Sequence, residues 1–239
     1  MQVLYEDNHL LVVNKPAGLS TMGVQPGEPS VHRWACDYLR EKYAKPGKVF
    51  LGVVSRLDSV TSGVLVLART SKAAARLTIQ FGGTGKHKKV STRAEKSYLV
   101  AVSGHLQRDS ELDHSGTLRD FVWKDDASMR MRVSRSVRED AKEARLDYEL
   151  VHQAADEALV AVRLGTGRKH QIRLQFADRG HAVIGDRKYG SRRSFPVGVA
   201  LHSRRLLIGH PTTEEPLEFT APLPKVWRES LKWLPSRIP

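Results

Sequence analysis

The residues best suited to chemistry in this chain lie in one short turn, Ser55 to Ser59, which contains Arg56 and Asp58. The apolar run Val64 to Ala68 follows and predicts a buried strand. A carboxylate held by a rigid strand and open to a cleft can act as a nucleophile or move a proton. Aspartates in such turns more often cap nearby backbone N–H groups, so the turn alone leaves both roles open for Asp58.

Three further segments place basic, aromatic and histidine side chains in a fixed order after this turn. They are Lys96 to Gly104, Gly165 to Arg173 with its continuation to Gly190, and Leu201 to Leu206. In order and spacing, the four segments resemble the RluA-type pseudouridine synthases. That family shows a His-Arg-Leu-Asp-x-x-Thr-Ser-Gly turn, a Lys-x-Tyr strand, a Gly-Arg-x-His-Gln-Ile-Arg segment, a Gly-Asp-x-x-Tyr-Gly turn and a Leu-His strand. The opening Leu4 to Leu19 also looks like the family, so the resemblance covers roughly residues 1 to 224.

The resemblance implies an enzyme that isomerises a uridine in RNA to pseudouridine, moving the base from an N-glycosidic to a C-glycosidic link. It implies that Asp58 is the catalytic carboxylate and acts on a flipped-out nucleotide, either at the sugar or at the base. Tyr98 matches the family's active-site tyrosine, which can stack on uracil and assist proton transfer at carbon 5. We choose Arg173 as the guanidinium that keeps the Asp58 carboxylate ionised.

The remaining predicted site residues are RNA contacts. By resemblance, Arg56 fills the gap that the extruded base leaves; otherwise it forms a surface ion pair. His170 and Gln171 are expected to organise the cleft through hydrogen bonds. The full predicted RNA-binding set is Arg56, Arg168, Lys169, His170, Gln171 and Arg204. Taken singly, Tyr98 is better interpreted as a core residue on a strand, and each basic residue fits a solvated surface position equally well.

The chain departs from the family pattern at two positions. Ser55 stands where histidine is usual, and Lys169 stands where threonine is common. A serine hydroxyl can still donate and accept hydrogen bonds, but the change weakens any transfer of substrate preference from relatives. We also expect no accessory RNA-binding module before Met1, so that residues 1–239 form a single catalytic domain that selects its own RNA.

The charge balance favours a polyanionic partner. The 239 residues include 39 Lys+Arg against 26 Asp+Glu, a formal net charge of +13 with a pI near 10.0. Such a surplus favours nucleic acid, because each neutralised phosphate releases counterions. The glycine-rich basic loop Gly82 to Glu95 is interpreted either as a phosphate contact or as a solvated loop.

Composition also bears on cofactors and compartment. The single cysteine, Cys36, excludes a disulfide and a thiolate metal cluster, and the histidines lack metal-ligand spacing. We therefore predict neither metal nor cofactor. The chain has no apolar run near the ~20 residues that span a bilayer and no signal-peptide pattern, which predicts a cytoplasmic protein without membrane contact. The absence of a strongly apolar surface pattern favours a monomer.

The predicted elements indicate an α+β fold. Ser30 should cap a helix with apolar positions Val31, Ala35 and Leu39, and further helices are predicted over Ser71 to Gln80, His170 to Arg179 and Lys225 to Leu234. Strands dominate the rest of the chain. We expect a pseudouridine-synthase-like domain with a central, mostly antiparallel mixed sheet, flanked by helices and loops around a catalytic cleft.

Two other functions fit part of the pattern. One is an RNA chaperone that keeps the fold but has lost turnover, for which Ser55 is the only supporting feature. The other is an RNA-cleaving or base-removing hydrolase using Asp58 with His170, which fits the charge but not the motif order. The sequence names neither the RNA, with ribosomal RNA and tRNA both suitable, nor the target uridine.

Overall fold

The structure is a computed structural model that describes residues 1–25, 27–83, 92–108, 112–128 and 130–238. The lysines of the predicted basic loop, Lys86, Lys88 and Lys89, lie outside the described residues. The helices are α1 (Val31–Lys42), α2 (Ser71–Gln80), α3 (Gln171–Asp178) and α4 (Lys225–Ser230). The strands are β1 (Gln2–Glu6), β2 (Leu10–Lys15), β3 (Gly52–Val53), β4 (Ser62–Ala68), β5 (Glu95–Ser103), β6 (Ser115–Asp125), β7 (Arg130–Ser134), β8 (Lys142–Gln153), β9 (Glu157–Leu164), β10 (Leu201–Gly209) and β11 (Pro216–Thr220).

The chain divides into two compact units. The first comprises Met1–Lys96 and Ser203–Leu223, and the second comprises Ser97–His202 and Pro224–Pro239. The prediction of one catalytic domain over residues 1–239 stays a prediction.

In the first unit the strands follow the order β1-β2-β4-β10-β11, and β3 also pairs with β4. Helix α2 lies with Leu10, Val12 and Val66 in one apolar cluster, and α1 lies with Leu11 and Val13 in another. Because both faces of β2 and β4 are buried, these strands read as continuous apolar runs rather than as an alternation. This buried sheet carries the turn that contains Asp58.

Helix α1 begins and packs as predicted. Ser30 is its N-cap, with the hydroxyl accepting a hydrogen bond from the Arg33 N–H. Val31, Ala35 and Leu39 are buried on one side. The one-sided burial anchors the helix against the strands.

In the second unit the order is β5-β9-β8-β6-β7, and each of these pairings is antiparallel. One face is covered by α3, whose Leu174 packs with Val122 and Ala144. Helix α3 is buried from Gln171 to Phe176, so its polar side chains must find partners inside the protein.

The α+β class and the mostly antiparallel sheet are confirmed. Three strands, β3, β6 and β7, were not anticipated, and α4 ends at Ser230 rather than at Leu234. No helix in the described part of the chain is both long and apolar enough to span a bilayer.

Candidate functional site

The turn that carries Asp58 is clamped by the segment that follows β2. The Leu57 carbonyl accepts a hydrogen bond from the Thr21 hydroxyl at 2.9 Å, and the Leu57 N–H donates to the oxygen of the same hydroxyl at 3.2 Å. The Ser59 carbonyl accepts from the Gly18 N–H at 2.8 Å, and the Asp58 carbonyl accepts from the Thr61 N–H at 3.0 Å. The backbone on each side of Asp58 is therefore fixed by hydrogen bonds.

Lys15 lies beneath this turn, with no exposed surface. Its ammonium donates to the carbonyls of Pro16 at 2.9 Å, Leu19 at 2.6 Å and Ser59 at 3.2 Å, which matches the three N–H groups of a lysine. Burial lowers the pKa of Lys15 from 10.5 to about 8, and the negative charge of Asp58 opposes part of that shift. A buried cation thus stabilises the half-buried carboxylate of Asp58 within the first unit.

Position 63, which ends the Thr-Ser-Gly part of the turn motif, requires glycine because the backbone of β10 approaches it closely. Its φ is +116°, and a Cβ at this position would lie 2.1 Å from the Ser203 carbonyl oxygen on β10. Only glycine combines this φ with this contact. Gly63 also pairs with Lys15 across β2 and β4, so the two residues fix the base of the turn.

Arg173 lies in the first turn of α3 in the second unit and is held by Asp186. Its Nε donates to Asp186 Oδ2 at 2.6 Å and its Nη2 to Oδ1 at 2.9 Å, a bidentate pair. The side chains are only 6% and 1% exposed, so the two charges compensate each other in a desolvated position. The pair fixes the orientation of the guanidinium plane.

His170, the residue before α3, has a left-handed backbone with φ 57°. A non-glycine residue in this region stores strain that the surroundings must hold. Its Nδ1 lies 2.6 Å from the Tyr189 hydroxyl, and the guanidinium carbon of Arg173 lies 5.2 Å from the centre of the Tyr189 ring. Tyr189 therefore links His170 and Arg173.

Gln171 fixes the turn between β9 and α3. Its amide oxygen accepts from the Thr166 hydroxyl at 2.7 Å and from the Arg168 N–H at 3.0 Å, and its amide nitrogen donates to the Arg145 carbonyl at 2.9 Å. These bonds agree with the expectation that Gln171 organises its surroundings. Its assignment to RNA stays a prediction.

The other predicted site residues fall into two groups by unit. In the second unit, Tyr98 lies buried on β5, whereas Arg168 and Lys169 are exposed beside Gln171. In the first unit, Arg56 is exposed on the Asp58 turn. Arg204 lies half-buried on β10, where its Nη1 donates to the Ala221 carbonyl at 2.6 Å. The motif residues are thus divided between the two units.

The described part of the chain contains no group of three or more His, Cys, Asp or Glu side chains placed to hold a metal ion.

Comparison with known proteins decides the family. The model of the family described as "RNA pseudouridylate synthase" matches residues 9–178, which contain the Asp58 turn, Tyr98 and the start of α3. The chain belongs to the RNA pseudouridylate synthase family. The dual-specificity RNA pseudouridine synthase RluA of Escherichia coli K12 is 32% identical over 224 residues, which cover 92% of each chain. The ribosomal large subunit pseudouridine synthase D of Xanthomonas campestris is 33% identical over 240 residues.

The family members differ in length. The alignment with the Xanthomonas protein covers 94% of this chain and 66% of that protein. Among solved structures, human RNA pseudouridylate synthase domain containing 4 superposes with a TM-score of 0.75 at 21% identity, over 97% of this chain and 92% of that one. Human RNA pseudouridylate synthase domain containing 1 gives 0.70 at 26% identity, over 93% and 83%. The pseudouridylate synthase fold is thereby confirmed.

Sequence reasoning gave no role to four residues that position the family's motifs here: Lys15, Thr21, Asp186 and Tyr189. One signal was available for Lys15, because it is in phase with Leu11 and Val13 on a buried strand. A charge at a core position needs internal partners. Asp186 and Tyr189 belong to the Gly-Asp-x-x-Tyr-Gly turn, but their contacts with α3 are not visible in sequence periodicity.

Proposed function

We propose that this chain isomerises uridine within RNA to pseudouridine and that Asp58 is the catalytic carboxylate. The observation that supports this most directly is the clamped turn: the family's aspartate stands between backbone anchors, above a buried lysine. Such preorganisation suits a carboxylate that must reach one atom of a flipped-out nucleotide.

The proposed reaction balances without a co-reactant. The bond between N1 of uracil and C1′ of ribose breaks, a bond between C5 and C1′ forms, the C5 proton leaves and N1 gains a proton. Atoms and oxidation state are conserved overall, so no oxidant, reductant or group donor is needed. In this scheme Asp58 attacks the sugar or the base, and both routes need an ionised carboxylate.

The other motif residues receive roles from family resemblance, from their chemistry and from the net charge of the chain. Tyr98 stacks on the uracil and assists the proton transfer at C5, and Arg173, oriented by Asp186, supports the anionic state of Asp58. Arg56 holds the RNA open, while Arg168, Lys169 and Arg204 contact phosphates. His170 and Gln171 keep the turn before α3 in place for RNA.

The proposed substrate is a structured RNA, either ribosomal RNA or tRNA. The name of the Xanthomonas relative refers to the large ribosomal subunit, which supports ribosomal RNA as the first to test. We further propose that residues 1–239 act as one catalytic domain, as a cytoplasmic monomer. Ser55 remains the only feature that supports the alternative of an inactive RNA chaperone.

The decisive experiment measures tritium release from RNA labelled at uridine C5. Wild-type protein should release tritium into water and leave the RNA length unchanged, whereas Asp58→Ala should release none above background. Ser59→Ala is the matched control, because Ser59 contributes only its carbonyl to the turn and should keep activity. Full activity of Asp58→Ala would refute the assignment of Asp58, and RNA fragments or free base would instead indicate a hydrolase.

A further inference from the structure

A basic and aromatic surface lies in the first unit at the end of α1. The segment 40–50 contains four cations against the single carboxylate of Glu41, and every residue from 40 to 48 is exposed. We call it the Tyr43 patch; it consists of Arg40, Lys42, Tyr43, Lys45, Lys48 and Phe50. This concentration of positive charge is complementary to a phosphate backbone.

The patch also exposes two aromatic rings. Tyr43 is 46% exposed and Phe50 is 52% exposed, although large apolar side chains are normally buried. Exposed rings interleaved with lysines are typical of surfaces that stack single-stranded bases, because every base presents a π face. A merely solvated basic turn does not account for the exposed ring of Phe50.

Tyr43 is held in place by a buried carboxylate. Glu6, with an 8% exposed side chain, accepts from the Tyr43 hydroxyl at 2.6 Å and from the Lys42 ammonium at 2.8 Å. The guanidinium carbon of Arg69 lies 4.8 Å from the centre of the Tyr43 ring. Burial raises the pKa of Glu6, but hydrogen bonds from Lys42 and two tyrosines outweigh it, so the pKa falls below its ordinary value.

The chain after α1 is fixed as well. The Ala44 N–H donates to the Glu41 carbonyl at 3.2 Å and the Lys45 N–H donates to the Arg40 carbonyl at 3.0 Å. With Ala44 in the left-handed region at φ 47°, these bonds form a Schellman motif. The backbone that presents Lys45 is therefore ordered before any ligand binds.

We propose that the Tyr43 patch binds a single-stranded segment of the substrate RNA, with Lys45 and Lys48 on phosphates and with Tyr43 and Phe50 stacked on bases. The inference rests on the proposed function for the identity of the substrate. It adds a second RNA contact surface. None of the predicted RNA-binding residues belongs to this surface.

The first test measures how salt weakens binding of a fluorescein-labelled 20-nucleotide oligouridylate between 50 and 400 mM KCl. Each phosphate contact to a single strand contributes about 0.7 to the slope of log K against log salt, so Lys45→Ala/Lys48→Ala should lower the slope by about 1.4. Lys72→Ala/Lys225→Ala is the matched control, because both lysines are exposed and outside the patch. An equal slope for the patch variant and wild type would overturn the proposal.

The second test addresses stacking. Phe50→Leu keeps the apolar volume but removes the ring, and should raise Kd for the same oligonucleotide about 5-fold, near the lower limit for base–aromatic stacking. Val137→Ala, at a 78% exposed position, should leave Kd unchanged. Circular dichroism melting checks that the variants fold. An unchanged Kd for Phe50→Leu would overturn the stacking assignment.

A third arm identifies the occupant. If poly-L-glutamate binding depends on Lys45 and Lys48 while oligouridylate binding does not, the patch serves an acidic polypeptide and the proposal is wrong. Failure of the proposed function is a separate outcome, since tritium release depends on Asp58 whereas these binding measurements need no turnover. Patch variants should therefore raise KM on RNA with little change in kcat.

Discussion

The Asp58 turn and the start of α3 both hold a charged motif residue, but by different means. The turn is fixed through backbone groups, to which Thr21, Gly18 and one buried lysine are bonded. The start of α3 is fixed through side chains, chiefly the buried pair of Arg173 with Asp186. A backbone clamp fixes the course of the chain, whereas a side-chain clamp defines one orientation of a guanidinium. The difference shows that a short turn and a buried charged side chain are held by different kinds of restraint.

The largest effect should follow from breaking the side-chain clamp. Asp186→Asn leaves the buried Arg173 without its charged partner and should lower the free energy of unfolding by about 3 kcal/mol. Urea denaturation measures this loss. The isomerase kcat should also fall, because the guanidinium loses its orientation.

Asp120→Asn is a close control for that variant. Asp120 forms a second buried bidentate pair with Arg179, at 2.9 and 3.0 Å, just beyond the other end of α3. We expect a similar loss of stability with kcat unchanged. If both variants reduced kcat equally, Arg173 would have no special part in the reaction.

Breaking the backbone clamp should lower the free energy of unfolding by less. Lys15→Met keeps the length of the side chain but removes the donors to three carbonyls, so we expect unfolding free energy to fall by about 2 kcal/mol. Asn14→Ala, at the half-buried neighbouring position, should change it by less than about 0.5 kcal/mol. Equal effects of the two variants would show that the turn does not depend on Lys15.

The pH dependence of stability sharpens the same point. Because the pKa of Lys15 is about 8 in the folded protein and near 10.5 when unfolded, the unfolded chain binds the extra proton between these values. Stability contributed by this group therefore rises as pH increases through 8, by about 2 to 3 kcal/mol between pH 7 and pH 10. Urea titrations of wild type and Lys15→Met should diverge by that amount, and parallel curves would contradict the lowered pKa.

The smallest effect concerns two residues with left-handed backbone, His170 in front of α3 and Ala44 behind α1. His170 has a contact with Tyr189 to hold its backbone, whereas Ala44 has only the helix-end hydrogen bonds. Ala44→Gly should raise thermal stability by about 0.5 to 1 kcal/mol, because glycine relieves the strain of φ 47°. An unchanged or lower melting temperature would mean that Ala44 bears no strain.

Sequence alone predicted the elements whose buried positions are nearly all apolar. Strand β4 is buried on both faces and α1 on one side, so each shows a regular apolar pattern. Strand β6 was missed because Asp120 occupies one of its buried positions, satisfied by Arg179 and Gln175, which breaks the apolar alternation. Helix α4 was predicted too long because Leu231 is buried beyond the helix end. A pattern of apolar residues records burial but not where hydrogen bonding stops.

The site was predictable only as far as family motifs reach. They identified Asp58, Tyr98 and Arg173, whose catalytic roles stay predictions. Lys15 went unassigned although its phase on β2 marks it as buried, and Asp186 went unassigned because its partner Arg173 lies across a loop, where no local pattern marks it. Such pairings are set by tertiary contacts.

Gly63 has a consequence for how this sequence can diverge. Ahead of it, backbone hydrogen bonds hold the half-buried turn, so a substitution such as the serine at position 55 costs the fold little. At Gly63 any added carbon would strike the β10 backbone. The register of the strand at Gly63 is therefore fixed, whereas a position such as Ser55 in the turn before it can take another residue type.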